Sequence, residues 1–195
     1  MGKLYFRHGT MNSAKTANLM MVAHSYITQG KEIIILTPDA DTRRESQARI
    51  HSRAIADDLA CEAIAPEVDI FALLVDKKLD AILVDEAQFF TKEQIKSLAM
   101  LSDKKNIPVL CYGLRCSYKD GELFEGSAAL MYWADNIEEV KSVCEYCGSK
   151  ATKNLLRIKG VPQYSGDTVI IGDITGDEIV YTATCRKHYL NPPKQ

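Results

Sequence analysis

The sequence lacks several features that would mark a membrane, secreted or nucleic-acid-binding protein. No apolar run approaches the roughly 20 residues that a membrane-spanning helix needs, and no internal repeat or low-complexity tract is present. An apolar strand begins almost at once, where a signal peptide would carry its charged and apolar regions. The net charge is only −2, which supplies no basic field of the kind that nucleic-acid polymers select. We therefore expect a cytoplasmic protein with neither a membrane nor a nucleic acid as partner.

The composition is that of an ordinary globular protein. Its 195 residues are 46% hydrophobic and 26% charged, and a chain of this size can bury the core of one domain plus a small appendage. Six cysteines are present, but a cytosolic chain with this pattern binds metal more often than it forms disulfides. Cys61, Cys111 and Cys116 are isolated in the sequence, and we expect them to be small buried thiols. The other three belong to two short motifs toward the C-terminus.

Four short apolar runs alternate with helical patterns. The runs are rich in Ile, Val and Leu without polar alternation, which predicts strands of a largely parallel sheet that is buried on both faces. They are Leu4–Arg7, Glu32–Leu36, Ala81–Val84 and Val109–Tyr112. Apolar residues at helical spacing cover residues 15–28 and 91–104, and Thr91 supplies a start signal for the second helix. The sequence therefore predicts an α/β fold with helices on both faces of the sheet.

The chain changes character at two further places. Residues 40–57 have weak apolar periodicity, and we expect a mobile loop there that becomes ordered when ligands bind. After about residue 140, glycines and short strand-like runs replace the alternation of helix and strand. We therefore predict two domains, an α/β domain over residues 1–140 and a small C-terminal domain over residues 141–195.

A turn that resembles a phosphate-binding loop lies between the first strand and the first helix. It reads Gly9-Thr10-Met11-Asn12-Ser13-Ala14-Lys15-Thr16, and in such a loop backbone N–H groups and a helix N-terminus converge on phosphate oxygens. Lys15 would reach the outer phosphates, and the Thr16 hydroxyl would bind magnesium. Ala14 stands where the pattern has its second glycine. The alternative interpretation is a polar strand-to-helix turn with an incidental lysine.

The strand over residues 81–84 ends in two carboxylates, Asp85 and Glu86. In phosphate-loop enzymes an acidic residue at this point lies beside the loop and helps to hold magnesium, a role that suits Asp85. Glu86 points to the other side of the chain and could take a proton from an attacking group. A strand that enters a loop often ends in acidic residues without any catalytic role. The combination with the phosphate-loop-like turn favours a nucleotide site.

Two paired-ligand motifs, Cys144-x2-Cys147 and Cys185-x2-His188, lie in the predicted C-terminal domain. Three thiolates and one imidazole make a closed tetrahedral set, which suits structural zinc rather than a catalytic metal with an open position. Residues 148–184 exceed the usual spacing of a zinc ribbon, so a long excursion must leave and return between the motifs. The alternatives are four unrelated residues, or a zinc unit that reads nucleic acid. Against the second, the excursion is not strongly basic.

With these motifs in this order, the chain resembles the type II thymidine kinases, the compact cytosolic family with a zinc-binding lasso domain. The resemblance runs from about Lys3 to Tyr189 and rests on seven ordered segments. These are Gly9–Thr16, Asp41–Arg43, Asp85–Phe90, Pro108–Arg115, Glu122–Ser127, Cys144–Cys147 and Tyr181–Tyr189. The resemblance implies a P-loop NTPase-like parallel sheet and a lasso domain that covers the nucleoside site. It also implies transfer of the γ-phosphoryl of ATP to the 5′-hydroxyl of thymidine, which gives dTMP.

The resemblance further implies roles for individual residues. Glu86 would be the general base on the 5′-hydroxyl, Lys15 would bind the phosphates, and Arg43 would stabilise charge on the transferring group. The site for ATP and Mg²⁺ would comprise Gly9, Thr10, Met11, Asn12, Ser13, Ala14, Lys15, Thr16, Asp41, Asp85 and Gln88. The thymidine pocket would comprise Met11, Phe89, Leu114, Tyr118, Phe124, Thr152, Thr168, Val169, Ile170, Ile171, Gly172 and Tyr181. Backbone amides of the lasso would read the thymine edge, and Zn²⁺ would be structural.

Three departures from the family pattern bear on this site. Ala14 carries a Cβ that would crowd the phosphates or strain the turn, and we expect weaker ATP binding in consequence. Tyr118 replaces a commoner phenylalanine, so its hydroxyl needs a partner if it is buried. Asp173 follows Gly172 where a second glycine is common, which affects the geometry of the lasso. From the resemblance we also expect a homotetramer that is inhibited by dTTP.

Two other functions stay open on the sequence alone. A nucleotide-dependent nucleic-acid-binding protein would use a zinc ribbon as its reader, and its binding would depend steeply on salt. A catalytically dead relative would keep the loop as a nucleotide-binding scaffold. Ala14 favours that second alternative, whereas the retained Lys15, Asp85 and Glu86 argue against it.

Overall fold

The structure is a computed structural model that describes residues 1–39, 49–52, 55–167 and 179–194. The strands are β1 (Leu4–Gly9), β2 (Ile33–Pro38), β3 (Arg49–Ser52), β4 (Ile55–Ala60), β5 (Glu62–Ile64), β6 (Ala81–Val84), β7 (Val109–Leu114), β8 (Asn136–Glu139), β9 (Lys153–Ile158), β10 (Val161–Gln163) and β11 (Ile179–Thr184). The helices are α1 (Lys15–Thr28), α2 (Ile70–Leu74), α3 (Lys92–Lys105), α4 (Glu125–Trp133) and α5 (Arg186–Leu190), with a 3-10 helix at Ala87–Phe89.

A six-stranded parallel sheet forms the centre of the fold, in the order β5-β2-β6-β7-β1-β8. The prediction of four core strands is confirmed, because β1, β2, β6 and β7 coincide with the four apolar runs. The sequence does not predict β5 and β8, which lie at the two edges of the sheet. Both are short and partly exposed, so neither carries a buried apolar run.

Strand β6 explains why the central runs show no polar alternation. All four of its residues are fully buried. Ile82 and Val84 pack in one core with residues of α2, α3 and α4, whereas Ala81 and Leu83 pack in a second core with residues of α1. Helices therefore cover both faces of the sheet, as predicted. The loops that follow β1 and β6 are left at the carboxyl edge, where parallel sheets bind ligands.

The two predicted helices are confirmed, and they begin in different ways. At the start of α3, the Thr91 hydroxyl accepts the Gln94 N–H at 3.2 Å, and the Gln94 side chain accepts the Thr91 N–H at 3.1 Å. This reciprocal capping box satisfies two N–H groups that the helix itself cannot satisfy. At the start of α1, Ala14 offers no side-chain cap. The N–H groups of the first turn of α1 are therefore not capped from that position.

The prediction of a mobile loop over residues 40–57 is wrong for the part that the structure describes. Strands β3 and β4 form an antiparallel pair in which Ile50 lies opposite Leu59. Ile50 is 5% exposed and belongs to the same core as Leu19 of α1. Strands of four and six residues have too few inward positions for a period to be visible in the sequence. Residues 40–48 and 53–54, which include Asp41 and Arg43, lie outside the described residues.

The C-terminal region forms a second, antiparallel sheet in the order β10-β9-β11, and α5 follows it. Leu155 and Leu156 of the central strand are fully buried. The buried Arg157 donates to the carbonyls of Gly160 and Pro193, both at 2.7 Å. The division into domains over residues 1–140 and 141–195 stays a prediction. Within the described ranges, every helix is too short or too polar to cross a membrane.

Candidate active site

The turn from Gly9 to Thr16 joins the carboxyl end of β1 to α1, as the sequence predicts. Gly9 has to be a glycine, because a Cβ there would overlap the Ser13 hydroxyl and lie 2.6 Å from the Val140 carbonyl. Asn12 and Ala14 both have a left-handed backbone, with φ of 59° and 60°. Asparagine adopts this conformation readily, whereas alanine does so only at a cost. The tight course of the turn leads directly into the N-terminus of α1, where anions bind favourably.

Lys15, the first residue of α1, is held inside the turn. Its side chain is buried, and the Nζ atom donates to the Thr10 carbonyl at 2.7 Å and to the Ser13 hydroxyl at 3.4 Å. Burial lowers the pKa of Lys15, and the nearby carboxylates of Glu86 and Asp85 partly oppose this shift. The turn thus places an amine beside two carboxylates that follow β6.

Thr16 and Asp85 form a pair of oxygen donors next to the turn. The Thr16 hydroxyl donates to the two Asp85 carboxylate oxygens at 3.1 and 3.3 Å. Burial raises the pKa of Asp85 to about 6, and the negative charge of Glu86 adds to the rise. A carboxylate beside a hydroxyl offers oxygen ligands to a hard divalent cation, and a cation bound there would offset the cost of burying the Asp85 charge.

Glu86 lies at the point where β6 turns into the 3-10 helix. Its backbone is left-handed, with φ 49° and ψ 38°. The Glu86 carboxylate accepts a hydrogen bond from the Gln88 side chain, and the Gln88 side-chain oxygen accepts the Leu114 N–H at 2.8 Å. Glu86 itself is only partly buried. The residue therefore keeps some exposure at the carboxyl edge of the sheet.

Two side chains from the C-terminal half of the chain hold the phosphate-loop-like turn. The buried Asn154 of β9 accepts the Met11 N–H at 2.8 Å, and the Ser142 and Thr10 hydroxyls are hydrogen-bonded to each other. A cavity of about 470 Å³ lies between Met11–Ala14 and the segment around Lys141–Val143. Asn154 and Ser142 are not predicted from the sequence, because a single polar residue far along the chain gives no local signal of this contact.

Four of the predicted thymidine residues form two pairs of aromatic rings. The Phe89 and Phe124 rings meet edge to face at 5.3 Å, and the Tyr118 and Tyr181 rings do so at 6.2 Å. The Tyr118 hydroxyl donates to the Asp167 carbonyl at 2.7 Å, which gives this buried hydroxyl the partner that it needs. Residues 168–172 lie outside the described residues.

Leu114 and Thr152 each have a hydrogen bond to a residue that lies one or two positions along the chain from one of these aromatic residues. The N–H of the largely buried Leu114 is bound by Gln88, whose neighbour along the chain is Phe89. The Thr152 carbonyl accepts a hydrogen bond from Cys116 with a sulfur–oxygen distance of 3.9 Å. The expectation that Cys111 and Cys116 are buried thiols is confirmed, whereas Cys61 is only half-buried.

Cys144, Cys147, Cys185 and His188 come together, as the two short motifs predict. Their ligand atoms all lie within 4.8 Å of one another. The Cys147 and Cys185 sulfurs are 3.9 Å apart, and His188 Nδ1 lies 3.4 Å from the Cys144 sulfur and 3.6 Å from the Cys185 sulfur. Tetrahedral zinc with ordinary bond lengths would separate two sulfurs by about 3.8 Å and a sulfur from a nitrogen by about 3.6 Å. The cluster is therefore compatible with a structural zinc ion.

The surroundings of Cys144 favour the ionised form of its thiol. Burial acts against the thiolate, but hydrogen bonds from the backbone N–H groups of Cys185 and Tyr146 and from His188 outweigh it and lower the pKa of Cys144 to about 6. The thiolate is the form that binds metal. The local backbone thus favours the charge state that a metal site needs.

Comparison with known proteins gives a consistent result over nearly the whole chain. A family model described as "Thymidine kinase" matches residues 2–189. The chain is 41% identical over 194 residues to a thymidine kinase of Streptococcus pyogenes serotype M6, covering 98% of this chain and 99% of that protein. It is also 41% identical over 197 residues to a thymidine kinase of Streptococcus agalactiae serotype Ia, with the same coverage.

The similar solved structures are more distant. The Pif1 helicase from Candida albicans has a TM-score of 0.41 and 12% identity, covering 72% of this chain and 36% of the helicase chain. Bacteroides Pif1 bound to single-stranded DNA has a TM-score of 0.36 and 14% identity, covering 71% of this chain and 38% of that chain. The chain spans well under two thirds of these helicases, and likenesses of this size carry no argument about function.

Proposed function

The chain belongs to the thymidine kinase family and its reaction is the phosphorylation of thymidine by ATP, and we propose that the reaction takes place where the Gly9–Thr16 turn meets Asp85 and Glu86. The observation that supports this site most directly is the hydrogen bond from Thr16 to Asp85, which joins the turn after β1 to the end of β6. Amine, hydroxyl and two carboxylates thereby meet at one edge of the sheet. Phosphoryl transfer needs mainly positioning and charge neutralisation, and these groups are suited to both.

Each group has a separate proposed role. The backbone N–H groups of the turn and the Lys15 amine bind the phosphates of ATP, with Lys15 exchanging its bond to the Thr10 carbonyl for phosphate oxygens. Thr16 and Asp85 would hold Mg²⁺, which when bound neutralises charge on the phosphates. Glu86 takes the proton from the 5′-hydroxyl of thymidine as the new oxygen–phosphorus bond forms and ADP leaves. The products are dTMP and ADP.

The nucleoside would lie against the two aromatic pairs, Phe89 with Phe124 and Tyr118 with Tyr181. Met11, Leu114 and Thr152 complete the proposed pocket within the described residues. Arg43, Asp41 and the lasso residues 168–172 keep the roles that the family resemblance implies, as predictions. Inhibition by dTTP follows if its base enters the thymidine pocket while its phosphates bind the turn. The homotetramer and the cytoplasmic location also stay predictions.

We further propose that Cys144, Cys147, Cys185 and His188 hold one structural zinc ion per chain. The separations of their ligand atoms and the lowered pKa of Cys144 support this assignment. Four protein ligands leave no open position for a substrate, so the role of the metal is to hold the C-terminal region together.

The reaction is tested by measuring ADP release from Mg²⁺-ATP by the purified protein, with and without thymidine. We expect release that depends on thymidine and that uridine and deoxycytidine support much less well. Formation of dTMP in the same reaction provides the matching product. No thymidine-dependent release by a folded, zinc-loaded protein would contradict the proposal and would support the catalytically dead alternative.

A further inference from the structure

Both polar atoms of the Gln88 side chain face the protein interior. It is 1% exposed, its Nε2 atom donates to the Glu86 carboxylate, and its Oε1 atom accepts the Leu114 N–H at 2.8 Å. The family resemblance implies that Gln88 is one of the ATP-binding residues, but these contacts direct its carboxamide toward a protein carboxylate and a backbone amide. Because Gln88 is almost fully buried, a direct contact of its second N–H with phosphate would require the side chain to become exposed.

The orientation of the carboxamide is fixed by its partners. The Leu114 N–H can only donate, so it must face the Gln88 oxygen and not the nitrogen. The Gln88 N–H groups are then turned toward Glu86, whose carboxylate can only accept while it is ionised. No rotation of the amide by a half-turn would satisfy both neighbours.

The surrounding backbone keeps Gln88 in this position. A Cβ at Gly113 would lie 2.6 Å from Gln88 Oε1, so β7 approaches the carboxamide as closely as its backbone allows. A Cβ at Gly126 would overlap the Ala87 carbonyl and lie 2.9 Å from the Gln88 carbonyl, so α4 packs directly on the 3-10 helix. The buried Ser127 of α4 donates to the Leu114 carbonyl, so the N–H and the carbonyl of Leu114 are both held by side chains. These close packings leave little freedom to the Gln88 side chain.

Glu86 needs such support more than an ordinary glutamate does. Its left-handed backbone is uncommon for a residue with a Cβ, and its carbonyl begins the 3-10 helix by accepting the Phe89 N–H at 3.1 Å. The side chain is partly exposed and would otherwise sample several rotamers. A general base works only when its carboxylate is aimed at the proton that it takes.

We propose that Gln88 is a positioning residue whose carboxamide aims the Glu86 carboxylate at the 5′-hydroxyl, and that Gln88 makes no contact with ATP. The proposal rests on the proposed function of Glu86 as the general base. Gln88 thus connects the base to the Leu114 backbone, so that the strand that contributes to the nucleoside pocket also orients the proton acceptor.

A double-mutant cycle tests the proposal, with wild type, Glu86→Gln, Gln88→Met and the double variant. Methionine matches the size of glutamine but offers neither the donor nor a good acceptor. The measurements are kcat for thymidine-dependent ADP release and the Kd for Mg²⁺-ATP. We expect Gln88→Met to lower kcat at least tenfold and to leave the Kd for Mg²⁺-ATP within threefold. In the Glu86→Gln background the same change should lower kcat less than twofold, because the base that Gln88 positions is already absent.

Two results would overturn the proposal. A loss that is as large in the Glu86→Gln background as in wild type would show that Gln88 acts independently of the base. A tenfold or greater rise in the Kd for Mg²⁺-ATP would show a direct role in ATP binding. If wild type itself shows no thymidine-dependent release, the proposed function fails, and that outcome is recognised separately from failure of the role of Gln88.

Two further variants are controls for a general loss of folding. Gln88→Asn keeps an amide on a side chain that is one carbon too short to reach both partners. If Gln88→Met does not fold, Gln88→Asn replaces it, and we expect the same lowered kcat with a nearly unchanged Kd for Mg²⁺-ATP. Gln94→Met removes another buried glutamine, one that bonds the Thr91 N–H and the carbonyls of Ala65 and Val68. It should lower thermal stability and leave kcat within twofold of wild type. A tenfold fall of kcat in Gln94→Met would overturn the specific role of Gln88.

Discussion

At the scale of single residues, three positions of the proposed site hold a left-handed backbone: Asn12, Ala14 and Glu86. Ala14 has φ 60° and ψ 27°, and Glu86 has φ 49° and ψ 38°. This conformation costs a residue with a Cβ roughly 1–2 kcal/mol. At Ala14 the following helix fixes the conformation, since the Ala14 carbonyl accepts the Asn18 N–H at 3.0 Å. Ala14 therefore strains the turn, which is one of the two effects that we expect from the missing glycine.

Replacing Ala14 with glycine should relieve this strain. Part of the gain is offset by the backbone entropy that glycine loses on folding, about 0.5–1 kcal/mol. We expect Ala14→Gly to stabilise the protein by up to about 1 kcal/mol, which raises Tm by about 2–4 °C for a chain of this length. Because the Ala14 side chain is exposed, the Kd for Mg²⁺-ATP should change less than threefold. Thermal unfolding and equilibrium ATP binding measure the two effects separately.

Asn12→Gly is the matched control, because Asn12 has nearly the same φ in a residue type that tolerates it. It should raise Tm less than Ala14→Gly does. An unchanged Tm together with ATP binding at least tenfold tighter in Ala14→Gly would contradict the strain argument. That result would instead support crowding of the phosphates by the Cβ.

At the scale of elements, the C-terminal sheet connects the metal cluster to the phosphate-loop-like turn. Strand β11 leads directly into Cys185, and its Ala183 lies opposite Asn154 of β9. Asn154 in turn accepts the Met11 N–H. The ligands of the proposed zinc ion and the turn that would bind ATP are thus two strands apart.

Loss of the metal should therefore weaken substrate binding before it unfolds the parallel sheet. We expect about one zinc per chain in wild type and less than a tenth of that in Cys185→Ser. The KM for thymidine should rise at least threefold in Cys185→Ser, while the main thermal transition of the protein persists. Metal analysis, steady-state kinetics and thermal unfolding provide the three measurements.

Cys61→Ser is the control for this experiment, because Cys61 is a half-buried thiol outside the cluster. It should retain zinc and the wild-type KM for thymidine. Full zinc content in a folded Cys185→Ser variant, or almost no zinc in wild type prepared without chelator, would contradict the four-ligand assignment.

The elements that the sequence predicts well are those with local signals. Helix α3 carries its own capping residues, Thr91 and Gln94, and β6 is a continuous run of buried apolar residues. Strands β3 and β8 could not be predicted in this way. Ile50 of β3 is buried only because α1 lies beside it, and β8 is a strand only because its backbone pairs with β1. Their stability comes from neighbours that are distant in sequence, so propensity and periodicity do not reveal them.

At the scale of the whole molecule, short sequence motifs identify the chemical groups of the site but do not determine its geometry. The turn at Gly9–Thr16 and the pair Asp85–Glu86 are each recognisable in sequence. Their contact through Thr16, and the support from Gln88 and Asn154, arise only when β1, β6, β7 and β9 are brought together. A buried glutamine or asparagine has no distinctive pattern around it in the sequence. Supporting residues of this kind are therefore found from the fold.

The most direct test of the account is turnover by Glu86→Gln, beside binding of thymidine and Mg²⁺-ATP. Glutamine keeps the size of the side chain but takes up no proton, and loss of a general base typically lowers a rate by about 10²–10⁴-fold. We expect kcat to fall at least a hundredfold, with both dissociation constants within about threefold of wild type. Glu93→Gln, which changes an exposed carboxylate on α3, should behave as wild type. Turnover by Glu86→Gln within a few-fold of wild type would contradict the assignment of the base and the site built around it.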